Sequence, residues 1–279
     1  MIVGGIMDAF RKDYLVFTSA GENARVHLWK KGAEPDFDVC IVNYSSVPGL
    51  HKSEADIYYQ SKGSKLGNLQ WVCRINPDLL NSYSAIWVAD DDIVIDAASI
   101  NRLFALHREK RLTLLQPAFS LRGKISHPIT RRQLFTSIRY TNFVEITCPV
   151  VEPHFMQRFL EVYDPALVGF GIDWWMLNLL GPGDKVAISD IITCVNPFDI
   201  YKKDGQREIL RLQSNEQRIK TWMAIKQKYQ LQQFEKQELG CEYKNALALL
   251  YSLPGFVYDY LVGGSLRLLK KTGWVRGLQ

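Results

Sequence analysis

Three consecutive aspartates, Asp90, Asp91 and Asp92, directly follow a continuous apolar run that begins at Ala85. An apolar run without polar alternation predicts a strand buried on both faces, and ligands bind at the carboxyl ends of such strands. Side chains alternate between the two faces of an extended chain, so Asp90 and Asp92 would share one face. Two carboxylates on one side supply the oxygen ligands that Mg²⁺ or Mn²⁺ prefers. We therefore predict a divalent-cation site at a strand end, with a solvated acidic turn as the alternative.

A further carboxylate suited to chemistry, Asp173, lies in the segment Gly169-Phe170-Gly171-Ile172-Asp173-Trp174-Trp175. The two glycines permit backbone conformations that other residues avoid, and they favour a helix that begins near Asp173. The helix dipole keeps a carboxylate at this position ionised, as a proton acceptor must be. The alternative is a plain helix cap. Trp174 and Trp175 would form a stacking platform for a ligand or, alternatively, belong to the core.

A small polar segment, residues 18–23, follows the first predicted strand, residues 14–17. We expect it to form a turn that opens a helix toward Trp29. Backbone N–H groups in the first turn at the carboxyl edge of a sheet point outward and bind phosphate groups. The segment is therefore a candidate nucleotide site.

Strand-like and helix-like segments alternate through the first part of the chain, which predicts an α/β fold with a Rossmann-type, mostly parallel sheet flanked by helices. We expect this domain to cover residues 1–205 and a helical C-terminal extension with a basic amphipathic tail to cover 206–279. Further strands are predicted over residues 38–44, 55–59, 112–115, 143–151 and 185–188, and helices over 66–80 (broken at Asn76-Pro77), after a cap at Asp96, and over 155–163.

The composition limits the class of protein. With 279 residues, 47% hydrophobic and 23% charged, the chain is that of a globular protein. The five cysteines never form a Cys-X-X-Cys pair, which indicates reduced thiols in the cytoplasm and argues against a structural zinc site. We find no signal peptide and no run of roughly 18 uninterrupted apolar residues, the length that a spanning helix needs.

The C-terminus combines apolar and basic residues. After Asp259 the chain has no acidic residue, and leucines and Trp274 alternate with Arg267, Lys270, Lys271 and Arg276. This pattern suits peripheral contact with an anionic membrane, at its inner face for a cytoplasmic protein, and the alternative is a docked helix with its basic face in water. No basic stripe with spaced aromatic residues occurs elsewhere, so nucleic acid is not an expected partner.

Four segments in this order resemble the plant and bacterial family DUF707, which looks like a branch of the GT-A nucleotide-sugar glycosyltransferases. The resemblance covers about residues 14–197 and implies a GT-A-like fold. An Asp-X-Asp motif alone is common, but the ordered set is more specific. The segments are residues 76–80 with the following Trp87 to Asp92, Gln116-Pro117-Ala118, residues 143–150, and Gly169 to Asp173.

The resemblance assigns a role to each carboxylate. Asp90 and Asp92 would hold Mn²⁺ or Mg²⁺, which neutralises the charge on the diphosphate as it leaves. Asp173 would take the position of the general base in inverting enzymes of this type. Glu145, or a retaining mechanism without such a base, is the alternative.

The resemblance also implies a nucleotide site and a third metal ligand. Members of the family often have a histidine six residues beyond the aspartate that corresponds to Asp190, where this chain has Asn196. Asparagine coordinates through its carbonyl oxygen, so Asn196 completes the predicted set, and a strict metal requirement stays open. The nucleotide would be held by Thr18, Ser19, Gly21, Asn23, Lys65, Asp90 and Asp91.

The predicted function is therefore that of a cytoplasmic glycosyltransferase. It would move a sugar from a nucleoside-diphosphate sugar to a glycan or lipid-linked glycan acceptor. A nucleotidyltransferase would also use paired aspartates, although the chain has no recognisable glycine- and lysine-rich triphosphate loop. A catalytically silent carbohydrate- or nucleotide-binding protein is the third possibility, and Asn196 is the residue that keeps it open.

Overall fold

The computed structural model describes residues 11–198 and 209–272. Within them, nine strands form one mixed sheet. The strands are β1 (Tyr14–Ala20), β2 (Phe37–Asn43), β3 (Ile57–Gln60), β4 (Ala85–Val88), β5 (Leu114–Phe119), β6 (Thr136–Thr141), β7 (Val150–Val151), β8 (Val186–Cys194) and β9 (Glu238–Tyr243). Their order across the sheet is β3-β2-β1-β4-β7-β5-β8-β6-β9.

The sheet is less parallel than the sequence predicts. β1 is parallel to β2 and β4, and β5 is parallel to β8, but β7 lies antiparallel between β4 and β5. Residues 143–149, predicted as part of this strand, run outside the ladder, and Phe143 and Val144 are buried in the core. The apolar run that predicted a strand therefore reflects tertiary burial.

Seven helices flank the sheet within the described residues. Asp96 caps α2 by accepting a hydrogen bond from the Ser99 N–H, as predicted, and α1 ends at Ile75, with Asn76 as its C-cap directly before Pro77. The helices are α1 (Lys65–Ile75), α2 (Ala97–Lys110), α3 (Pro153–Val162), α4 (Ile172–Leu177), α5 (Ile209–Leu212), α6 (Asn215–Lys228) and α7 (Ala246–Thr272).

The helix predicted after residues 18–23 is wrong. Thr18 and Ser19 belong to β1, and only a 3₁₀ turn, Val26–Leu28, follows. The Arg25 N–H donates to the Asp91 carbonyl at 2.6 Å. The chain is therefore tied to the acidic turn at this point.

Both faces of the sheet are covered by packed side chains. Leu15 and Phe17 of β1 belong to one core cluster, and Val16 between them belongs to the other. The first cluster includes Trp175 of α4, and the second includes Phe104 of α2. Burial on both faces explains why these strands are apolar without alternation.

The C-terminal part contributes to this body. β9 pairs with β6 at one edge of the sheet, and Trp222 of α6 is buried in the first core cluster. By length and composition, residues Ala246–Leu266 of α7 could cross a membrane. The basic residues Arg267, Lys270 and Lys271 lie where side chains are not described, and Arg276 lies outside the described residues.

Candidate active site

The three aspartates occupy a turn beyond the end of β4. The strand ends at Val88, and the Ile93 N–H donates to the Asp90 carbonyl at 3.3 Å, which closes the turn. The Asp90 side chain is 47% exposed, whereas Asp92 is only 7% exposed. The extended chain assumed for these residues is therefore absent, and the assignment of Asp90 and Asp92 as metal ligands rests on the resemblance.

Lys65, the first residue of α1, places its ammonium group at the centre of the site. Its Nζ lies 2.7 Å from Asp90 Oδ1 and donates to the carbonyls of Ile146 and Thr147 at 2.6 and 3.2 Å. Lys65 thus joins α1, the acidic turn and the segment before β7. The side chain is largely buried, so it supplies a fixed positive charge beside the carboxylates.

Asp173 lies beside this cluster as the second residue of α4. Gly171 precedes the helix with φ of +90°, and a Cβ there would lie 2.2 Å from the Trp222 ring, so only glycine fits. Gly171 occupies the N-cap position, and Asp173 lies two residues further on, in the first turn of the helix. The Asp173 Oδ1 accepts a hydrogen bond from the Ile146 N–H. Ile146 therefore contacts both Asp173 and Lys65.

The pKa of Asp173 is raised to about 6, chiefly because burial disfavours the charged form. The Ile146 N–H and the Lys65 ammonium group act in the opposite direction, and the charge of Asp90 adds to the increase. A carboxylate with a pKa near neutrality is ionised at physiological pH and can still take up a proton.

Glu145 is a second buried carboxylate at the same place. Its Oε1 accepts from the Thr130 hydroxyl at 2.9 Å, and its N–H donates to Gln116 Oε1 at 2.6 Å. Burial raises the pKa of Glu145 to about 7, and the charge of Asp173 contributes. Two neighbouring carboxylates with raised pKa values are typical of catalytic sites.

Sequence reasoning missed Lys236, which comes from the segment between α6 and β9. Its Nζ lies 2.7 Å from His127 Nδ1 and over the rings of Phe143 and Trp174, at 4.7 and 5.3 Å from their centroids. Burial lowers the pKa of Lys236, and the charges of Asp173 and Glu145 oppose that change. No local pattern around Lys236 could have indicated this position.

The first turn is arranged differently from the prediction. The Thr18 hydroxyl donates to the Ala89 carbonyl at 2.8 Å, and Ser19 Oγ accepts from the Asn68 amide at 3.0 Å. Both predicted nucleotide ligands are buried strand residues. Their side chains hold β1 to β4 and α1.

Gly21 does not offer a free N–H group, which corrects the prediction for this residue. Its N–H donates to Asp91 Oδ2 at 2.8 Å. The Tyr44 ring covers it so closely that a Cβ at Gly21 would lie 2.4 Å from the ring. Asn23 follows in a turn and is half-buried. The carboxylate of Asp91 therefore stabilises the loop that could face a nucleotide.

Asp190 and Asn196 occupy distinct environments. Asp190 is fully buried and accepts from the Arg139 Nε and the Thr136 hydroxyl, both at 2.7 Å. Asn196 follows Val195, which forms an antiparallel bridge with Val94. In that antiparallel register Asn196 lies opposite Ile93, the residue after Asp92.

Among the described residues, no three His, Cys, Asp or Glu side chains form a metal-binding cluster. The predicted set consists of Asp90, Asp92 and Asn196, all oxygen donors. Mg²⁺ and Mn²⁺ use one or two carboxylates together with phosphate oxygens and water. The chemistry of this donor set, with an accessible Asp90, therefore fits a hard divalent cation that a diphosphate would help to bind.

The fold is similar to that of solved GT-A-type glycosyltransferases. A TarS fragment from S. aureus (1–349) superposes with a TM-score of 0.50 and 11% identity, over 72% of this chain and 64% of that chain. GalNAc-T7 in complex with UDP, GalNAc and Mn²⁺ superposes with a TM-score of 0.51 and 11% identity, over 79% of this chain and 48% of that chain. The chain thus spans about half to two thirds of these neighbours. The likeness confirms the predicted GT-A-type α/β fold.

No protein-family profile and no curated protein matches this chain. Membership of DUF707 therefore stays a prediction.

Proposed function

We propose that this protein is an inverting glycosyltransferase that moves a sugar from a nucleoside-diphosphate sugar to a glycan or lipid-linked glycan acceptor. The observation that carries the proposal is one cluster that joins the acidic turn to α4. Lys65 contacts Asp90 and the carbonyl of Ile146, and the N–H of Ile146 binds Asp173. A donor-binding carboxylate and a base must lie near one another, because the diphosphate leaves from the same anomeric carbon that the acceptor hydroxyl attacks.

Asp173 is the general base in this proposal. The acceptor hydroxyl oxygen forms a bond to the anomeric carbon while the bond from that carbon to the diphosphate oxygen breaks. The electron pair leaves with the diphosphate, and the hydroxyl proton passes to Asp173. The Ile146 N–H orients the carboxylate, and the raised pKa of Asp173 favours proton uptake.

Asp90, Asp92 and Asn196 would hold Mn²⁺ or Mg²⁺, which when bound neutralises charge on the leaving diphosphate. Lys65 adds a fixed positive charge at the same edge. The neighbour GalNAc-T7, described with UDP and Mn²⁺, supports a nucleotide-sugar donor. By the resemblance to GT-A enzymes, Asp91 and the turn at Asn23 would contact the nucleotide.

The test is thermal unfolding of the full chain with nucleoside diphosphates, beginning with UDP, with and without Mn²⁺. Ligand that binds only the native state raises the unfolding temperature. We expect nucleoside diphosphates to raise the unfolding temperature, and we expect the increase to be larger with Mn²⁺. Asp92→Ala should remove the additional increase that depends on Mn²⁺. Asp91→Ala is the control: it loses the bond to Gly21 but should keep that part.

The opposite pattern, with the Mn²⁺-dependent part lost in Asp91→Ala and kept in Asp92→Ala, would show that the ligands are wrongly assigned. If no nucleoside diphosphate raises the unfolding temperature, the proposed function is contradicted. Asn196 in place of a histidine favours the silent binding protein as second candidate. Nucleotide binding without hydrolysis or transfer of any sugar from a donor panel would identify it.

A further inference from the structure

α7 carries a large apolar surface that the rest of the described chain leaves uncovered. Leu250, Tyr251 and Leu261 are 65%, 77% and 62% exposed. Only 11% of the most apolar stretch of this helix is buried. Soluble monomers rarely expose a contiguous apolar patch of this kind, so it indicates an interaction surface.

The exposed apolar residues share one side of the helix. At about 100° per residue they span roughly half of its circumference. A helix-pairing seam is narrower than this, because only two positions in seven face the partner. A broad apolar arc fits a lipid phase better than a second helix. The residues are Leu247, Leu250, Tyr251, Leu253, Val257, Tyr258, Tyr260 and Leu261.

The opposite side of α7 is fastened to the segment 121–132. Asp259 is buried, and its carboxylate pairs with Arg122 Nε at 2.7 Å and with Arg132 Nη1 at 3.1 Å. Gly263 packs so closely that a Cβ there would lie 2.1 Å from the Leu121 carbonyl oxygen. The arc is therefore directed away from the body while α7 stays docked.

The same segment reaches the candidate active site. The Lys124 N–H donates to the Asn196 carbonyl at 2.7 Å, and Gly123 packs against the Asn196 backbone. One short stretch of chain thus contacts α7 on one side and a predicted metal-ligating residue on the other. A membrane or protein that bound α7 would therefore also lie close to the edge of the sheet that carries Asn196.

The charges distinguish a helix that lies on a bilayer from one that spans it. Asp259, Arg122 and Arg132 lie along the docked side of α7. A spanning orientation with the body docked would carry these ionic groups into hydrocarbon, which is costly. In the plane of the surface they stay on the aqueous side, and the tyrosines of the arc lie at headgroup depth, where they are favoured.

We propose that α7 lies in the plane of an anionic lipid bilayer, with the arc from Leu247 to Leu261 inserted among the headgroups. The basic residues Lys270, Lys271 and Arg276, with no acidic residue after Asp259, favour anionic lipid. Through the segment 121–132, the active-site edge is then held close to the bilayer surface and to substrates that reside in the membrane. Resting on the proposed function, this makes the acceptor a lipid-linked glycan.

The test adds the full chain to preformed vesicles of phosphatidylcholine with phosphatidylglycerol and measures sedimentation. Burying one leucine side chain changes an equilibrium by roughly tenfold or more. We expect the double variant Leu250→Glu, Leu261→Glu to bind at least about tenfold more weakly. Met223→Glu, an equally apolar and exposed position on α6, is the matched control and should bind like wild type. Alkaline carbonate should release the wild-type protein.

Equal binding of wild type and double variant, or resistance to carbonate, would overturn the proposal. So would a dimer in solution that the double variant disperses without any vesicle binding, because the arc would then contact a second copy. UDP-induced stabilisation is measured on the same samples and should survive the double variant. Vesicle binding without any nucleotide binding would refute the proposed function but would still support the membrane contact of α7.

Discussion

Two regions of the protein contain buried or half-buried carboxylates with different polar neighbours. One is Asp190 in β8, and the other is the candidate active site with Glu145 and Asp173. Asp190 accepts hydrogen bonds from two guanidinium nitrogens of Arg139, from the Thr136 hydroxyl and from a backbone N–H. Glu145 and Asp173 have fewer partners, and their pKa values are raised to about 7 and about 6. A satisfied carboxylate stabilises a fold, whereas an incompletely satisfied one is available for proton transfer.

The largest effect on stability is expected at Asp190. Asp190→Ala leaves the buried Arg139 with only the half-exposed Glu238 as a counter-charge, and we expect the free energy of unfolding to fall by about 3 to 5 kcal/mol. Urea unfolding measures it. Replacing both partners by apolar residues, Asp190→Leu with Arg139→Met, should recover only part of the loss, because the Ile129 and Arg131 carbonyls then lose their hydrogen bonds from Arg139. A loss under about 1 kcal/mol for Asp190→Ala would show that the two sites do not differ as described.

The next change tests the role of Asp173. Asp173→Asn can still accept the Ile146 N–H bond but cannot take up a proton, so turnover should fall about 10²- to 10⁴-fold. Nucleotide binding should stay near wild type, and the unfolding temperature should not fall, since the variant removes a buried charge. Glu161→Gln, on the exposed side of α3, controls for loss of a carboxylate elsewhere. Near-normal turnover in Asp173→Asn would show that Asp173 is not the base. Glu145 would then be the candidate base, or the mechanism would be a retaining one without such a base.

The smallest effect is expected at Glu145, as a dependence of stability on pH. Its folded-state pKa of about 7 is higher than the ordinary value of 4.5, so the folded state binds the proton more tightly. Its contribution to stability is therefore present at low pH and is lost as pH rises from about 4.5 to about 7. Asp173, with its pKa raised to about 6, acts in the same direction.

Glu145→Gln should remove part of this dependence and be more stable than wild type at pH 8, by about 1 kcal/mol or more. Thermal unfolding between pH 5 and pH 8 measures the difference. Parallel pH profiles for wild type and variant would mean that Glu145 is as well satisfied as Asp190, which would remove the contrast between the two sites.

Several parts of the site follow from local sequence. The apolar run before Asp90 predicted a buried strand, and β4 confirms it. The cap at Asp96 and the helix near residues 155–163 also agree with the structure. Each of these depends on neighbours a few positions away, through periodicity or a hydrogen bond to the next turn.

Other parts could not be predicted in this way. The extended chain assumed for Asp90 to Asp92 is a turn, the Gly21 N–H is used by Asp91, and the strand expected over 143–151 contributes only β7. Contacts with distant segments contribute at both loops: the acidic turn accepts a hydrogen bond from Arg25, and Asp91 accepts one from the Gly21 N–H. No residue within a few positions reveals these partners.

The sequence by itself determined the α/β class, the carboxylates at a strand end and the start of α4 near Asp173, because periodicity, glycine positions and composition are local properties. Only the tertiary structure decided that Lys65 joins Asp90 to the residues around Asp173, and that Lys236 reaches the same site. It also decided the pKa values of Asp173 and Glu145. These depend on burial and on charges that the order of strands in the sheet brings together from remote parts of the chain.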